Sequence, residues 1–139
     1  MRGWITVPTA IVVGMLTTAP ASADASSPPF VDHTEWVRYG DLPGLPDLAG
    51  LRVYPTPSGR TAAGADGDPQ ADEAWHEVLA SAPGADTPGM REQFLCHWRF
   101  AEFAQPGKIS WNLEPWRPVV DDAAMLDSGC NPGGPEEAP

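Results

Sequence analysis

The sequence predicts a small, single α+β domain made of two short helices, an antiparallel β-hairpin and one disulfide. Three observations point there. Residues 69–82 place apolar side chains at helical spacing, residues 96–114 alternate with period two around a Pro-Gly turn, and the chain holds two cysteines, Cys96 and Cys130.

The amino end reads as an export signal that precedes this domain. "MRGWITVPTAIVVGMLTTAPASA" opens with Arg2, runs apolar from Trp4 to Leu16 and ends in the small-residue pattern Ala21-Ser22-Ala23. The apolar run is shorter than the roughly 20 residues that span a bilayer. Residues 1–23 are assigned to a cleaved signal peptide, 24–50 to an N-terminal lead and arm, 51–132 to the domain and 133–139 to a flexible tail. The protein is expected to be secreted, extracellular or in the cell envelope, with no integral membrane span after cleavage.

Within the arm, Pro43 and Pro46 break "FVDHTEWVRYGDLPGLPDLAG", leaving little regular structure beyond a short strand or turn near Glu35–Tyr39. "LRVYPTP" alternates as a short strand stopped by Pro55 and Pro57. "SGRTAAGADGDPQAD" is rich in Gly, Ala and Asp and reads as a loop. The first helix is expected over Pro69–Ala82. Asp68 caps it, Pro69 suits its first turn, and Ala71, Ala74, Trp75, Val78, Leu79 and Ala82 form its apolar stripe. Pro83-Gly84 ends it.

Thr87-Pro88 opens a second helix by the same rule, with Met90, Phe94 and His97 on one face. It is expected to give way near Cys96, because "CHWRFAEFA" and "KISWNLE" flank "QPGK" as a hairpin. One hairpin face then carries Trp98, Phe100, Ile109, Trp111 and Leu113. The other carries His97, Arg99, Asn112 and Glu114, with Arg99 opposite Glu114. Asp121–Leu126 is expected to make one helical turn.

Composition sets the need for a staple. Aliphatic residues are sparse, 17 Pro and 14 Gly favour turns, and Trp36, Trp75, Trp98, Trp111 and Trp116 supply much of the available apolar surface. In an oxidising compartment an even cysteine count reads as a disulfide. Bridging Cys96 to Cys130 closes a loop of about 35 residues, for about 3.5–4 kcal/mol in the chain-entropy account. The alternatives are a reactive thiol, which needs an unbridged sulfur, and a metal ligand. The two cysteines with His33, His76 and His97 match no zinc spacing. Asp66-Gly67-Asp68 and Asp121-Asp122 do not match a calcium loop either, and no metal or other cofactor is expected. The formal charge of −11 disfavours nucleic acid and anionic membrane as partners, leaving a cell-wall component or a secreted protein.

"MREQFLCHWRF", "SWNLEPWRP" and "CNP" together resemble a secreted actinobacterial family known as a domain of unknown function. The matching positions are Gln93, Cys96, His97, Trp111, Asn112, Leu113, Glu114, Arg117, Pro118, Cys130 and Asn131. The resemblance spans about residues 51–132. It implies secretion and a Cys96–Cys130 bridge, and it implies no reaction.

Two functional expectations follow. The first is a disulfide-stapled envelope or extracellular interaction protein whose binding residues are Arg99, Trp111, Asn112, Trp116 and Arg117. Trp stacks on rings, and Arg grips carboxylates or phosphates. The second is a small secreted hydrolase using His97 and Glu114 as its acid–base pair. Against both stands a structural role: a cross-strand Arg99–Glu114 pair, a histidine bonded to backbone, and tryptophans that fill the core.

Overall fold

Alternation along Leu51-Arg52-Val53 makes the centre of the sheet. In the computed structural model, which describes residues 27–39, 48–64 and 68–134 together with Gly3 and Gly14, this stretch lies in strand β2 (Ala49–Pro55). β2 pairs antiparallel on one side with β1 (Val31–Arg38) and on the other with β3 (Trp111–Leu113), giving the order β1-β2-β3. Trp36 lies opposite Leu51 and Thr34 opposite Val53, while β3 sets Leu113 opposite Leu51 and Trp111 opposite Val53. Leu51, Val53, Trp111 and Leu113 are fully buried and face the helices.

Among the described residues the helices are α1 (Pro57–Ala62), α2 (Asp68–Ser81), α3 (Met90–Ala104) and α4 (Asp122–Asp127). α1 starts where Thr56 accepts a hydrogen bond from the Gly59 amide at 2.8 Å and Pro57 occupies the first turn. α2 buries Ala71, Ala74, Trp75 and Val78, the stripe the sequence predicts. Its Glu77 Oε2 accepts from the Phe30 and Val31 amides, both at 2.7 Å, and so fastens the start of β1. α4 is capped by Asp121, whose Oδ1 accepts from the Ala124 amide at 2.8 Å.

The core is aromatic. Phe94 on α3 lies 5.5 Å from Trp75, 6.0 Å from Trp98 and 6.1 Å from Trp111, centroid to centroid. Trp98 meets Trp111 edge to face at 6.0 Å and Phe30 at 5.8 Å. Such pairs add about 0.5–1.5 kcal/mol each beyond the area they bury, which suits a chain short of aliphatics.

The α+β class, the antiparallel hairpin and the disulfide stand, but the hairpin lies elsewhere. It is built from β1 and β2. The hairpin expected over residues 96–114 is replaced by a helix, because α3 continues through Cys96 to Ala104. Its buried positions Met90, Phe94, Trp98 and Ala101 keep helical spacing. The apparent alternation fails on burial: His97 and Ala101, on the face expected to be polar, are enclosed, whereas Ile109, on the face expected to be apolar, is 78% exposed. The Pro106-Gly107 turn forms, and it joins helix to strand. Gly107 has φ +74°, the Lys108 amide donates to Gln105 O at 3.1 Å, and Arg60 holds the turn through Lys108 O at 2.6 Å and an ion pair with Glu102.

Three further segments differ from expectation. The arm contributes a full eight-residue strand, β1. The region after Pro55 holds α1 where a loop is expected. α3 begins at Met90 behind Gly89, which has φ +85° and supplies no side-chain cap; the Thr87-Pro88 pair lies in the turn before it. The predicted signal peptide, residues 1–23, lies outside the described residues except for Gly3 and Gly14, as does 135–139 of the predicted tail. No described helix is long and apolar enough to cross a membrane.

Cys96 and Cys130 are bonded, with Cα atoms 5.6 Å apart and a sequence separation of 34. They form a small second core with Met125, covered by Phe100 and Val120. Opening this link, by reduction or by Cys96→Ala with Cys130→Ala, is expected to lower unfolding free energy by about 3.5–4 kcal/mol. Urea denaturation monitored by Trp fluorescence checks this. A loss below about 1 kcal/mol would show that the two cores hold the fold without the bridge.

Candidate functional site

The polar residues singled out by the sequence converge on β3 and the chain leaving it, and most of them are buried there. Gln93 and His97 stand one turn apart on α3 and face the edge of β3 that β2 leaves unpaired. His97 Nε2 lies 3.0 Å from Asn112 O. Since a carbonyl only accepts, Nε2 carries the proton and Nδ1 the lone pair. The Gln93 amide reads Glu114 in both directions: Nε2 donates to Glu114 O and Oε1 accepts from Glu114 N, each at 2.9 Å. The spacings match. Four residues of helix rise about 6 Å, and two residues of strand advance about 6.6 Å, so an i,i+4 pair meets the outward-facing groups of an i,i+2 pair.

The Glu114 side chain anchors a second connection. Its Oε2 accepts from Arg117 Nε at 2.7 Å and its Oε1 from the Tyr39 hydroxyl at 3.2 Å. A Cβ at Gly50 would overlap the Tyr39 ring, so glycine there gives Tyr39 its path to Glu114. Arg117 reaches on to Pro132 O at 3.1 Å and Gly134 O at 2.6 Å, and its guanidinium lies 4.6 Å above the Trp116 ring. Glu114 and Arg117 are 1% and 3% exposed, so this is a buried ion pair with most of its hydrogen-bonding capacity met.

Burial also sets the state of His97. Removal from water pushes its pKa down to about 3, helped by the positive charges of Lys108 and Arg117 and opposed by the bond to Asn112. His97 is therefore neutral throughout the physiological range.

The structure gathers five of the seven predicted site residues in one buried region, sets Trp116 at its surface against Arg117, and separates Arg99. His97, Trp111, Asn112, Glu114 and Arg117 share one buried region. Trp111 is fully buried core, and Asn112 Oδ1 bonds the Ser110 hydroxyl at 2.7 Å. The expected Arg99–Glu114 pairing does not occur, because α3 turns Arg99 away from β3. Arg99 instead makes a two-pronged pair with Asp68 at 2.9 and 3.0 Å, which holds the Asp68 carboxyl below the usual carboxylate range. Trp116 is 38% exposed and stands apart from the cleft described next.

A cleft of about 550 Å³ opens between the last turns of α3 and the corner that follows α4. His97, Phe100, Ala101 and Ala104 line one wall, Leu126, Gly129, Cys130 and Asn131 the other, and Phe103, Gln105 and Lys108 its mouth. The corner is a Schellman turn: Gly129, with φ +61°, donates to Leu126 O at 2.9 Å, and Cys130 donates to Met125 O at 3.0 Å. The sequence reading missed this cleft. Its one legible sign is Phe103, a large apolar residue at a helix end next to a Pro-Gly turn. No group of three His, Cys, Asp or Glu side chains among the described residues is placed to hold a metal ion.

Comparison with known proteins places these features in context. A family profile described as "Protein of unknown function (DUF2599)" matches residues 31–133. Uncharacterized proteins of Mycobacterium tuberculosis and Mycobacterium bovis are 52% identical over 153 aligned positions, covering 99% of each chain. An uncharacterized protein of Mycobacterium leprae is 50% identical over 105 positions, 76% of this chain and 80% of its own. No solved structure matches.

Two predictions separate the buried groups from the exposed ones. Arg117→Ala leaves the Glu114 carboxylate buried without its cation and is expected to cost about 3–5 kcal/mol. Arg99→Ala, in a solvent-facing pair, is expected to cost no more than about 1 kcal/mol. Chemical denaturation of the two variants checks the contrast. For His97, the unfolded chain binds a proton near pH 6.5 and the folded chain only near pH 3, so its contribution is complete above pH 6.5 and is lost as pH falls towards 3. Stability measured from pH 7 to 4 is expected to fall with a slope approaching about 1.4 kcal/mol per pH unit more than in His97→Gln.

Proposed function

The chain belongs to the DUF2599 family, and from that premise we propose that it is an exported, disulfide-stapled binding protein of the cell envelope or extracellular space, with the cleft beside Cys130 as its contact surface. One contrast carries this reading. Glu114, Arg117 and Gln93 are engaged with one another and with backbone, whereas the cleft presents apolar side chains to solvent. Its size lies in the range of ligand pockets, roughly 300–1,000 Å³. Export draws support from the signal-like leader and from a bridge of the kind that persists in oxidising compartments. The expected partner is a cell-wall component or a secreted protein that presents an apolar group.

The hydrolase alternative has less to support it. The Glu114 carboxylate is bonded to Arg117 and Tyr39, and the His97 proton is directed at Asn112 O. With a pKa near 3, His97 is a weak base for proton abstraction at neutral pH.

Mass spectrometry of protein recovered from culture supernatant and wall fractions is expected to find a chain starting at Asp24 with both cysteines unreactive to thiol reagents. Affinity capture on wall polymer and secreted protein should weaken by about tenfold or more in a Phe103→Asp/Leu126→Asp variant. A chain retained in the cytoplasm with its leader intact, capture indifferent to that variant, or a hydrolytic activity abolished by His97→Gln would overturn the reading.

A further inference from the structure

We infer that the cleft takes a neutral amphiphile whose polar end donates a hydrogen bond, as an alcohol does, to Nδ1 of His97. This inference rests on the cleft-binding reading above and names the ligand class. His97 is only 4% exposed, yet it lines the cleft. Its Nε2 proton is committed to Asn112 O at 3.0 Å. The imidazole ring is rigid, so this bond turns Nε2 towards β3 and leaves Nδ1 on the side of the ring away from the strand. Nδ1 has no hydrogen-bond partner among the described residues. Nor is it one of their enclosed unpaired atoms, which are Arg52 Nε, Trp111 Nε1 and Asn131 Oδ1. An unpaired atom that is not sealed in stays open to approach, and the cleft is the opening that His97 lines.

The state of the ring selects the polar end of the ligand. Burial keeps His97 neutral, so Nδ1 offers a lone pair and can only accept. Asn131 on the opposite wall carries a second acceptor in the same position: its Nδ2 donates to Gly129 O at 2.9 Å, and its Oδ1 is left unpaired. A group that brings only lone pairs, such as a carboxylate or an ether oxygen, leaves both unmet. An ammonium group could donate, but no carboxylate stands among the described lining residues to offset the loss of its water. A neutral O–H satisfies both conditions. The remainder of the ligand is apolar, because Phe100, Ala101, Ala104 and Leu126 make the walls and Phe103 stands at the mouth. Each methylene removed from water there raises affinity about fourfold. The concave shape and modest volume fit a small molecule better than a protein face, which would need about 800 Å² of contact per partner.

Two isomers test the direction of the bond on the purified, oxidised protein. 1-Octanol and 1-methoxyheptane have the same atoms and each has an oxygen that accepts, but only the alcohol donates. In calorimetric titrations at neutral pH, octanol is expected to bind about fivefold more tightly than the ether, and octanoate more weakly than octanol. In His97→Gln, whose amide can still donate to Asn112 O, the octanol-to-ether ratio should fall close to one. Should that variant fail to fold, the native protein still decides: in 15N-labelled protein the His97 Nδ1 resonance should move upfield with octanol and stay in place with the ether. Equal binding of the isomers, a ratio unchanged in His97→Gln, a stationary Nδ1 resonance, or octanoate binding as tightly as octanol overturns the donor assignment and leaves the apolar cleft standing. Failure of all three probes to bind overturns both.

Discussion

A three-residue strand at the edge of a sheet leaves its outward amide and carbonyl groups to be satisfied by something other than a further strand. In this fold α3 does that work. Gln93 and His97 act as side-chain substitutes for strand neighbours and take up Asn112 O and both backbone groups of Glu114. The remainder depends on that match between helical and strand spacing. It fixes the roll of α3, and the roll brings Phe94 and Trp98 against the sheet and carries Cys96 to the opposite side, towards α4. It also fixes where the chain leaves β3, which puts Glu114 within reach of Arg117 and Tyr39. A polar pair on a helix face thus specifies register, a use of buried polarity better attested than any net stabilisation from it.

Ionic groups in this acidic chain fall into two populations. Exposed pairs such as Arg99–Asp68 and Arg91–Asp72 bridge helices at the surface and contribute little each. Among the pairs between described residues, the one withdrawn from water, Glu114–Arg117, sits where three stretches of chain meet: the exit of β3, the end of β1 through Tyr39, and the segment after Cys130. Arg117 is suited to that junction because its fork distributes donors to several acceptors at once. A lysine would supply the charge without the directions. The disulfide and the Arg117 contacts therefore tether the same C-terminal segment at two points, Cys130 and Pro132–Gly134.

The sequence was most legible where one signal had one meaning. Asp68-Pro69 followed by the Ala71–Ala82 stripe marked α2, and an even pair of cysteines behind a signal-like amino end marked the bridge. The same cap-and-proline signal stood at Thr56-Pro57 before α1, yet it read as a strand stop because a strand precedes it. Residues 98–104 were ambiguous in kind. Trp98, Phe100 and Phe103 fit neither period cleanly, and only burial separates them: Trp98 is fully enclosed while Phe103 lies in water. With the helix mistaken for a strand, His97, Arg99 and Glu114 appeared to share a surface. Asn112 and Glu114 do belong with His97, but through backbone bonds that residue type does not reveal. Gln93, the partner that completes the arrangement, appeared in the signature yet offered no chemistry that would mark it as important.

The separation between buried polar frame and open apolar cleft bears on the binding role proposed for the cleft. Its two walls come from elements that do not neighbour in sequence, the end of α3 and the corner after α4. Left to themselves, a six-residue helix and a glycine corner would fluctuate against α3, and a ligand would have to order them on binding. Here Cys96–Cys130 joins the walls covalently, Met125 packs between them, and Arg117 holds the chain immediately beyond. Gly129 takes the left-handed position that the Schellman turn requires, and Cys130 beyond it keeps φ +67°, a conformation that costs a non-glycine residue on the order of 1 kcal/mol. The ordering is completed when the protein folds and oxidises, so ligand contacts with the walls need not repeat it. On the proposed binding reading, the residues that look most like a catalytic centre serve to make the neighbouring apolar surface rigid, and recognition of the apolar part of a ligand falls to the side chains Phe100, Phe103 and Leu126.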